Sequence, residues 1–128
     1  VITDSHFGKR NRLGRLVAFV ANLRARGVVD AVGLGIDESA ALCIDAEGIG
    51  RVFTLTKGGA AWLVVPTVAP SRAVPGKPLD IAGVNVTGVG VGSRIDLRSL
   101  QVEAPAFRRV VDVHDGRMQV RDAGPPGP

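Results

Sequence analysis

One histidine and two carboxylates follow apolar segments within the first forty residues of the sequence. Asp4 and His6 come directly after the apolar start of the chain, and Glu38 comes directly after the apolar run 28–36. A histidine transfers protons near neutral pH, and a carboxylate on its other ring nitrogen fixes the tautomer and stabilises the imidazolium. The spacing predicts that His6 is a base and that a carboxylate orients it. The alternative is that residues 37–39 form an exposed turn and that His6 only marks the start of a helix.

Three arginines, Arg10, Arg12 and Arg15, follow the histidine. We expect Arg12 and Arg15 to share one face of a helix, with Arg10 in the first turn. Cations at this end oppose the helix dipole, so the helix itself gains nothing from them. Guanidinium groups bind carboxylates through paired hydrogen bonds, which indicates an anionic ligand. A solvated helix face is the alternative interpretation.

The elements that must position these side chains are a strand, a helix and a second strand. Apolar residues at spacings of three and four predict an amphipathic helix over residues 9–25, ended by Gly27. The run 28–36 is typical of a strand buried on both faces, as in a parallel sheet covered by helices. If residues 1–3 form a parallel neighbour of that strand, the acids and the histidine share one edge of the sheet, where open α/β sheets bind ligands.

Beyond residue 40 the pattern changes to short segments separated by glycine-bearing turns and a proline-rich loop at 64–77. The histidine, aspartate and glycine at 114–116 predict a hairpin turn, and 79–92 predicts a bent strand or a hairpin. Cys43 falls inside a predicted strand, where we expect a buried, inert thiol. The other predicted strands cover residues 41–45, 51–55, 61–65, 94–102, 109–113 and 117–120.

Composition limits the classes of function. A net charge of +4, with cations concentrated in residues 9–26, favours an anionic partner. Aromatic residues make up only 4% and tyrosine is absent, so a stacking platform for nucleic acid is not expected. The single cysteine excludes an internal disulfide and a cysteine-based zinc site, and we expect no metal and no other cofactor. No apolar run reaches membrane-spanning length.

A triad also needs a nucleophile, and the sequence offers none in the expected setting. A serine on a strand–turn–helix elbow is flanked by glycines as G-x-S-x-G. None of the serines matches that pattern; they are Ser5, Ser39, Ser71, Ser93 and Ser99.

The segment DSHFGKRNRLGRL, followed by LGIDESAAL, resembles the cyanophycinase family of serine peptidases. These two blocks lie within residues 1–45. The resemblance implies the C-terminal portion of a flavodoxin-like α/β/α sandwich, of the class I glutamine amidotransferase type, followed by a mostly β segment of short strands. It implies His6 as general base and Glu38 as its acidic partner. It also implies five substrate-binding residues, namely Asp4, Ser5, Arg10, Arg12 and Arg15.

Ser5 stands where this family usually has glutamine, which leaves the identity of the substrate open. Cyanophycinases cleave a polyaspartate that bears arginine on its side-chain carboxyls, releasing β-aspartyl-arginine. The alternatives are a dipeptidase or amidase of different specificity, and a non-catalytic basic binding module.

The resemblance also implies that the half of the domain that carries the nucleophile is not among these 128 residues. We therefore expect residues 1–121 to be the C-terminal part of one peptidase domain, inactive alone, with a Pro/Gly-rich tail at 122–128. The expected partners are a peptide substrate with carboxylate groups and the N-terminal half, on the same or a separate chain. A second copy in a homodimer is a further option, and neither a membrane nor nucleic acid is expected.

Overall fold

The computed structural model describes residues 1–123. These residues form two sheets, of six and four strands, and one helix. The six-stranded sheet has the order β1-β2-β5-β6-β9-β10 and the four-stranded sheet the order β3-β4-β7-β8. In chain order the elements are β1 (Ile2–Asp4), α1 (Leu13–Ala25), β2 (Gly33–Ile36), β3 (Ala40–Ile44), β4 (Ile49–Thr54), β5 (Ala61–Pro66), β6 (Ile81–Val89), β7 (Arg94–Asp96), β8 (Gln101–Glu103), β9 (Phe107–His114) and β10 (Arg117–Asp122).

The first two strands pair in parallel, with Ile2 opposite Gly33 and Asp4 opposite Gly35, as predicted. The second strand is shorter than predicted, because residues 28–32 form turns and coil before it and Val29 is exposed. The α/β class is confirmed. The flavodoxin-like arrangement is not, since every other strand pair in the six-stranded sheet is antiparallel.

Helix α1 ends where predicted but begins four residues later, at Leu13. Turns occupy the segment before it, and Asn11 has a φ of 50°, a left-handed conformation that cannot belong to a right-handed helix. The placement of Arg10 in the first helical turn is therefore wrong. At the other end, Gly27 takes a φ of 97°, and the Val28 N–H donates to the Leu23 carbonyl at 3.0 Å. This Schellman motif satisfies carbonyls that the helix leaves free.

The six-stranded sheet is covered on both faces. On one face the apolar side of α1, including Leu16 and Val20, packs against β5, β6 and β9. On the other face Leu34 and Leu63 pack against Val52 and Ile95 of the four-stranded sheet. The prediction that β2 is buried on both faces is confirmed, but the second cover is a sheet rather than a helix. Burial from two sides fixes β2, and parallel pairing with β2 places the carboxyl end of β1 at the same edge of the sheet.

Most later predictions hold. Strand β6 is one bent strand, with a register shift between Ile81 and Val84 and a φ of 69° at Gly83. The β9–β10 hairpin turns on Asp115 and Gly116, both with positive φ. The single strand predicted at 94–102 is wrong, because β7 and β8 form a hairpin there.

Cys43 is exposed, so the prediction of a buried thiol is wrong. It lies on β3, an edge strand whose outer face is uncovered, and apolar periodicity cannot show which face of a sheet is covered. The predicted tail begins one residue too early, since Asp122 belongs to β10. Its residues 124–128 lie outside the described residues. No helix within residues 1–123 is long and apolar enough to cross a membrane.

Candidate active site

His6 lies in the loop that leaves the carboxyl end of β1, and its neighbours fix the loop tightly. Phe7 is 1% exposed and packs in the space left by the absent side chain of Gly35. The Phe7 ring lies 5.2 Å from the Trp62 ring, and the Phe7 N–H donates to the Ile36 carbonyl at 3.0 Å. His6 itself has a φ of 50°. A non-glycine residue in this left-handed region is uncommon, and such conformations cluster at functional sites.

The structure brings His6 and Glu38 together. His6 Nδ1 lies 3.7 Å from Glu38 Oε1, with the side chains 45% and 39% exposed. The distance exceeds that of a hydrogen bond, and catalytic contacts are often this long before substrate binds. Both residues follow the carboxyl ends of the parallel neighbours β1 and β2, which explains how side chains 32 positions apart in sequence meet.

Lys9 fixes the second oxygen of Glu38, with Lys9 Nζ 3.0 Å from Oε2. The hydrogen bond from Lys9 lowers the pKa of Glu38, although partial desolvation opposes the change, and the charges of Lys9, His6 and Arg10 lower it further. Glu38 is therefore a carboxylate at neutral pH, as an orienting acid must be. Sequence reasoning counted Lys9 only as part of the basic run.

Asp4 is buried and is held by two of the predicted substrate-binding arginines. Arg15 donates from Nε to Asp4 Oδ2 at 3.0 Å and from Nη2 to Oδ1, and Arg12 Nη1 donates to Oδ1 at 3.2 Å. The hydrogen bonds from Arg15 lower the pKa of Asp4 most, against the effect of burial. Arg12 also donates to the Ser5 carbonyl, so much of its donor capacity is used inside the protein.

The predicted substrate-binding residues thus divide into two groups. The Asp4 carboxylate and the Arg12 guanidinium, which is 19% exposed, make structural contacts. Arg15 keeps 46% exposure, and Arg10 and Ser5 are exposed, so these three remain open to a ligand. Asp4 sets the positions of Arg12 and Arg15.

The ion pairs of Asp4 make a prediction about stability. Asp4→Asn should lower the free energy of unfolding at pH 7 by about 2 kcal/mol, below the usual cost of breaking a buried pair because Arg15 is half exposed. Since folding lowers this pKa, the contribution is complete above the ordinary aspartate pKa of about 3.9 and disappears as pH falls through the lower folded-state value. Urea unfolding at several pH values should show the difference between variant and wild type shrinking below about pH 4. The exposed Asp30→Asn is the control, and an equal loss in both variants would contradict the prediction.

A cleft of about 260 Å³ opens beside Glu38. It lies between the loop after β1, the turn after β2 and the turn between β4 and β5. Lys9 and Lys57 bring positive charge to it. Asp37 also borders the cleft, and the sequence analysis considered it only as part of an exposed turn at 37–39. The full lining is Gly8, Lys9, Asp37, Glu38, Ser39, Thr56, Lys57, Gly58 and Gly59.

Among the described residues no serine hydroxyl hydrogen-bonds to His6, and Ser93 instead donates to the Ala104 carbonyl at 2.7 Å in a buried turn. Within the same range no three His, Cys, Asp or Glu side chains gather as metal ligands would. The arrangement places a histidine beside a carboxylate, with cations around them, and none of the described serines hydrogen-bonds to that histidine.

Two known proteins are distantly similar in sequence to this chain. No family model matches it. The cyanophycinases of Trichormus variabilis and of a Nostoc species are each 33% identical to it over 114 residues, which are 86% of this chain. The chain is distantly related to cyanophycinase. The matched length extends well beyond residues 1–45, which carry the resemblance of the sequence motifs, and the chain spans 35% of each cyanophycinase.

Proposed function

We propose that this chain supplies the general base and the orienting acid of a serine-type peptidase that hydrolyses β-aspartyl or related acidic peptide bonds. The observation that carries the proposal is the 3.7 Å approach of His6 Nδ1 to Glu38 Oε1 at the carboxyl ends of two parallel strands. The distant relationship to proteins named cyanophycinase supports the same class of reaction.

The chemistry follows from which ring nitrogen faces the acid. With Nδ1 directed at Glu38, Nε2 is the nitrogen available to a serine hydroxyl from the part of the peptidase domain outside this chain. His6 takes the hydroxyl proton as the serine attacks the amide carbonyl, and then returns it to the leaving amine. Glu38 stabilises the imidazolium that forms between the two steps. A water molecule then attacks the acyl-enzyme, with His6 again taking a proton and returning it to the serine, and the acyl group is released. Backbone N–H groups outside this chain form the oxyanion hole.

The charges around the pair suit an acidic substrate. Arg10 and Arg15 are exposed, and Lys9 and Lys57 border the cleft beside Glu38. These cations favour a substrate that carries carboxylates. Asp4 already accepts hydrogen bonds from Arg15 Nε and Nη2, so Arg15 has a fixed orientation and would offer a ligand its remaining guanidinium N–H groups.

The proposal is tested by assaying the complete protein and the 128-residue chain on three substrates. These are an arginine-bearing β-linked polyaspartate, a β-aspartyl dipeptide and the matching α-aspartyl dipeptide. We expect kcat/KM to favour a β-linked substrate over the α-linked one by about 100-fold, because the site orients a specific carboxylate. The chain alone should show no turnover, since no serine within residues 1–123 hydrogen-bonds to His6.

Equal hydrolysis of α- and β-linked substrates would indicate a dipeptidase or amidase of another specificity. A complete protein that hydrolyses none of them but binds polyanions with a steep salt dependence would be a basic binding module. Turnover by the isolated chain would show that the serine lies within these residues. Each of these outcomes contradicts the proposal as stated.

A further inference from the structure

Asp37 joins three separate segments through one carboxylate. Its Oδ1 accepts hydrogen bonds from the Gly8 N–H at 2.8 Å and from Trp62 Nε1 at 3.0 Å. Its Oδ2 accepts the Ala60 N–H at 3.1 Å. The loop that carries His6 is thus tied to the end of β2 and to the start of β5.

The contact with Gly8 determines how the loop leaves β1. A Cβ atom at position 8 would lie 2.9 Å from Asp37 Oδ1, closer than side chains normally approach, so the absent side chain of Gly8 permits this contact. Phe7 is fixed by its burial, and Gly8 is fixed by Asp37. These contacts fix the two residues that directly follow His6, and His6 itself has a left-handed backbone conformation.

We propose that Asp37 is a positioning residue, which holds His6 in reach of Glu38 through the backbone of Gly8. This inference rests on the proposed function, in which His6 is the base. Asp37 does not replace Glu38 as the orienting acid, because its oxygens already accept three hydrogen bonds from other groups. The two neighbouring acids therefore have separate roles: Glu38 contacts the imidazole, and Asp37 holds the loop that carries it.

The first test uses the complete protein. Asp37→Ala should lower kcat about 100-fold with KM within about twofold, since a misplacement of roughly 1 Å costs that much. Asp37→Asn keeps an oxygen that can accept the Gly8 N–H, so it should recover about tenfold of that loss. Gly8→Ala disturbs the same contact from the other side and should act like Asp37→Ala. The matched control is Asp112→Asn, which removes a carboxylate that accepts the Gly83 N–H at 2.8 Å in another part of the sheet.

The second test needs no activity. Diethyl pyrocarbonate modifies histidines, and this sequence has two, so His114 in the far hairpin turn is an internal reference. Peptide mass spectrometry gives the ratio of the two modification rates. Asp37→Ala removes three hydrogen bonds, of which the one from the Gly8 N–H holds the loop, and its loss should change the opening equilibrium of the loop, and hence this ratio, by about fivefold. Asp112→Asn should leave the ratio unchanged.

These readouts separate the two hypotheses. If His6→Ala leaves kcat unchanged, the proposed function fails, and the modification ratio still tests whether Asp37 holds the loop. If His6→Ala removes activity but Asp37→Ala changes neither kcat nor the ratio, the positioning role is wrong. A rise in KM alone, with kcat and the modification ratio unchanged, also overturns the positioning role. Should Asp37→Ala fail to fold, Asp37→Asn and Gly8→Ala carry both measurements.

Discussion

His6→Ala in the complete protein should lower kcat about 10⁴-fold while changing KM by no more than about twofold. The imidazole is the only described group that both faces a carboxylate at 3.7 Å and lies at the carboxyl end of the parallel strands. Without it the serine keeps its proton and the leaving amine departs unprotonated. Steady-state kinetics on the best substrate of the panel measures the effect.

The second histidine provides a matched control. His114 is 94% exposed and its Nδ1 lies 3.2 Å from Asp80, so it also stands beside an acid. It belongs to the β9–β10 turn, and His114→Ala should leave kcat within about twofold of wild type. If both alanine variants kept full kcat, another base would have to be sought and the assignment of His6 would be wrong.

Glu38→Gln should lower kcat about 10³-fold, because the amide keeps the shape of the side chain but cannot stabilise the imidazolium. The effect is smaller than in a fully buried triad, since Glu38 is 39% exposed. The exposed Glu103→Gln is the control and should have no effect on kcat. A rise in KM alone, with kcat unchanged, would assign Glu38 to substrate binding instead.

The pH dependence of the same variant gives an independent check. Because Lys9 lowers the pKa of Glu38, wild-type Glu38 is charged above the ordinary glutamate pKa of about 4.3 and loses its charge only as pH falls through the lowered value. Any decline in wild-type activity between pH 8 and pH 5 therefore comes from another group. That decline should persist in Glu38→Gln, measured as normalised kcat/KM against pH, and its disappearance in the variant would contradict the assignment.

Local sequence patterns predicted where the helix and the strands lie, but not how these elements pack against the rest of the protein. The periodicity of Leu13, Leu16 and Val20 identified α1, and Gly27 identified its end. The helix start was missed because turns closed by backbone hydrogen bonds occupy residues 6–11 and Asn11 is left-handed there, which apolar spacing does not show. The cover of β2 was also missed, since an apolar strand packs equally well against a helix or a sheet.

The part of the site that could be predicted from the sequence is the part that lies at the carboxyl ends of the two parallel strands. Two acids and a histidine placed after parallel strands were sufficient to suggest that His6 and Glu38 meet. The use of Arg12 by Asp4, and the three hydrogen bonds of Asp37, depend on side-chain directions in a folded loop. Sequence spacing carries no information on those directions, so these contacts could not be predicted from the sequence and are seen only in the folded structure.

The site also contains a natural optical probe. Trp62 is the only tryptophan, and the chain has no tyrosine, so excitation near 295 nm addresses one indole. That indole donates to Asp37 and packs against Phe7, the residue next to His6. Indole emission reports the polarity and contacts of its surroundings. Native fluorescence of this chain can therefore follow the state of the loop that carries His6 directly, in real time and without a label.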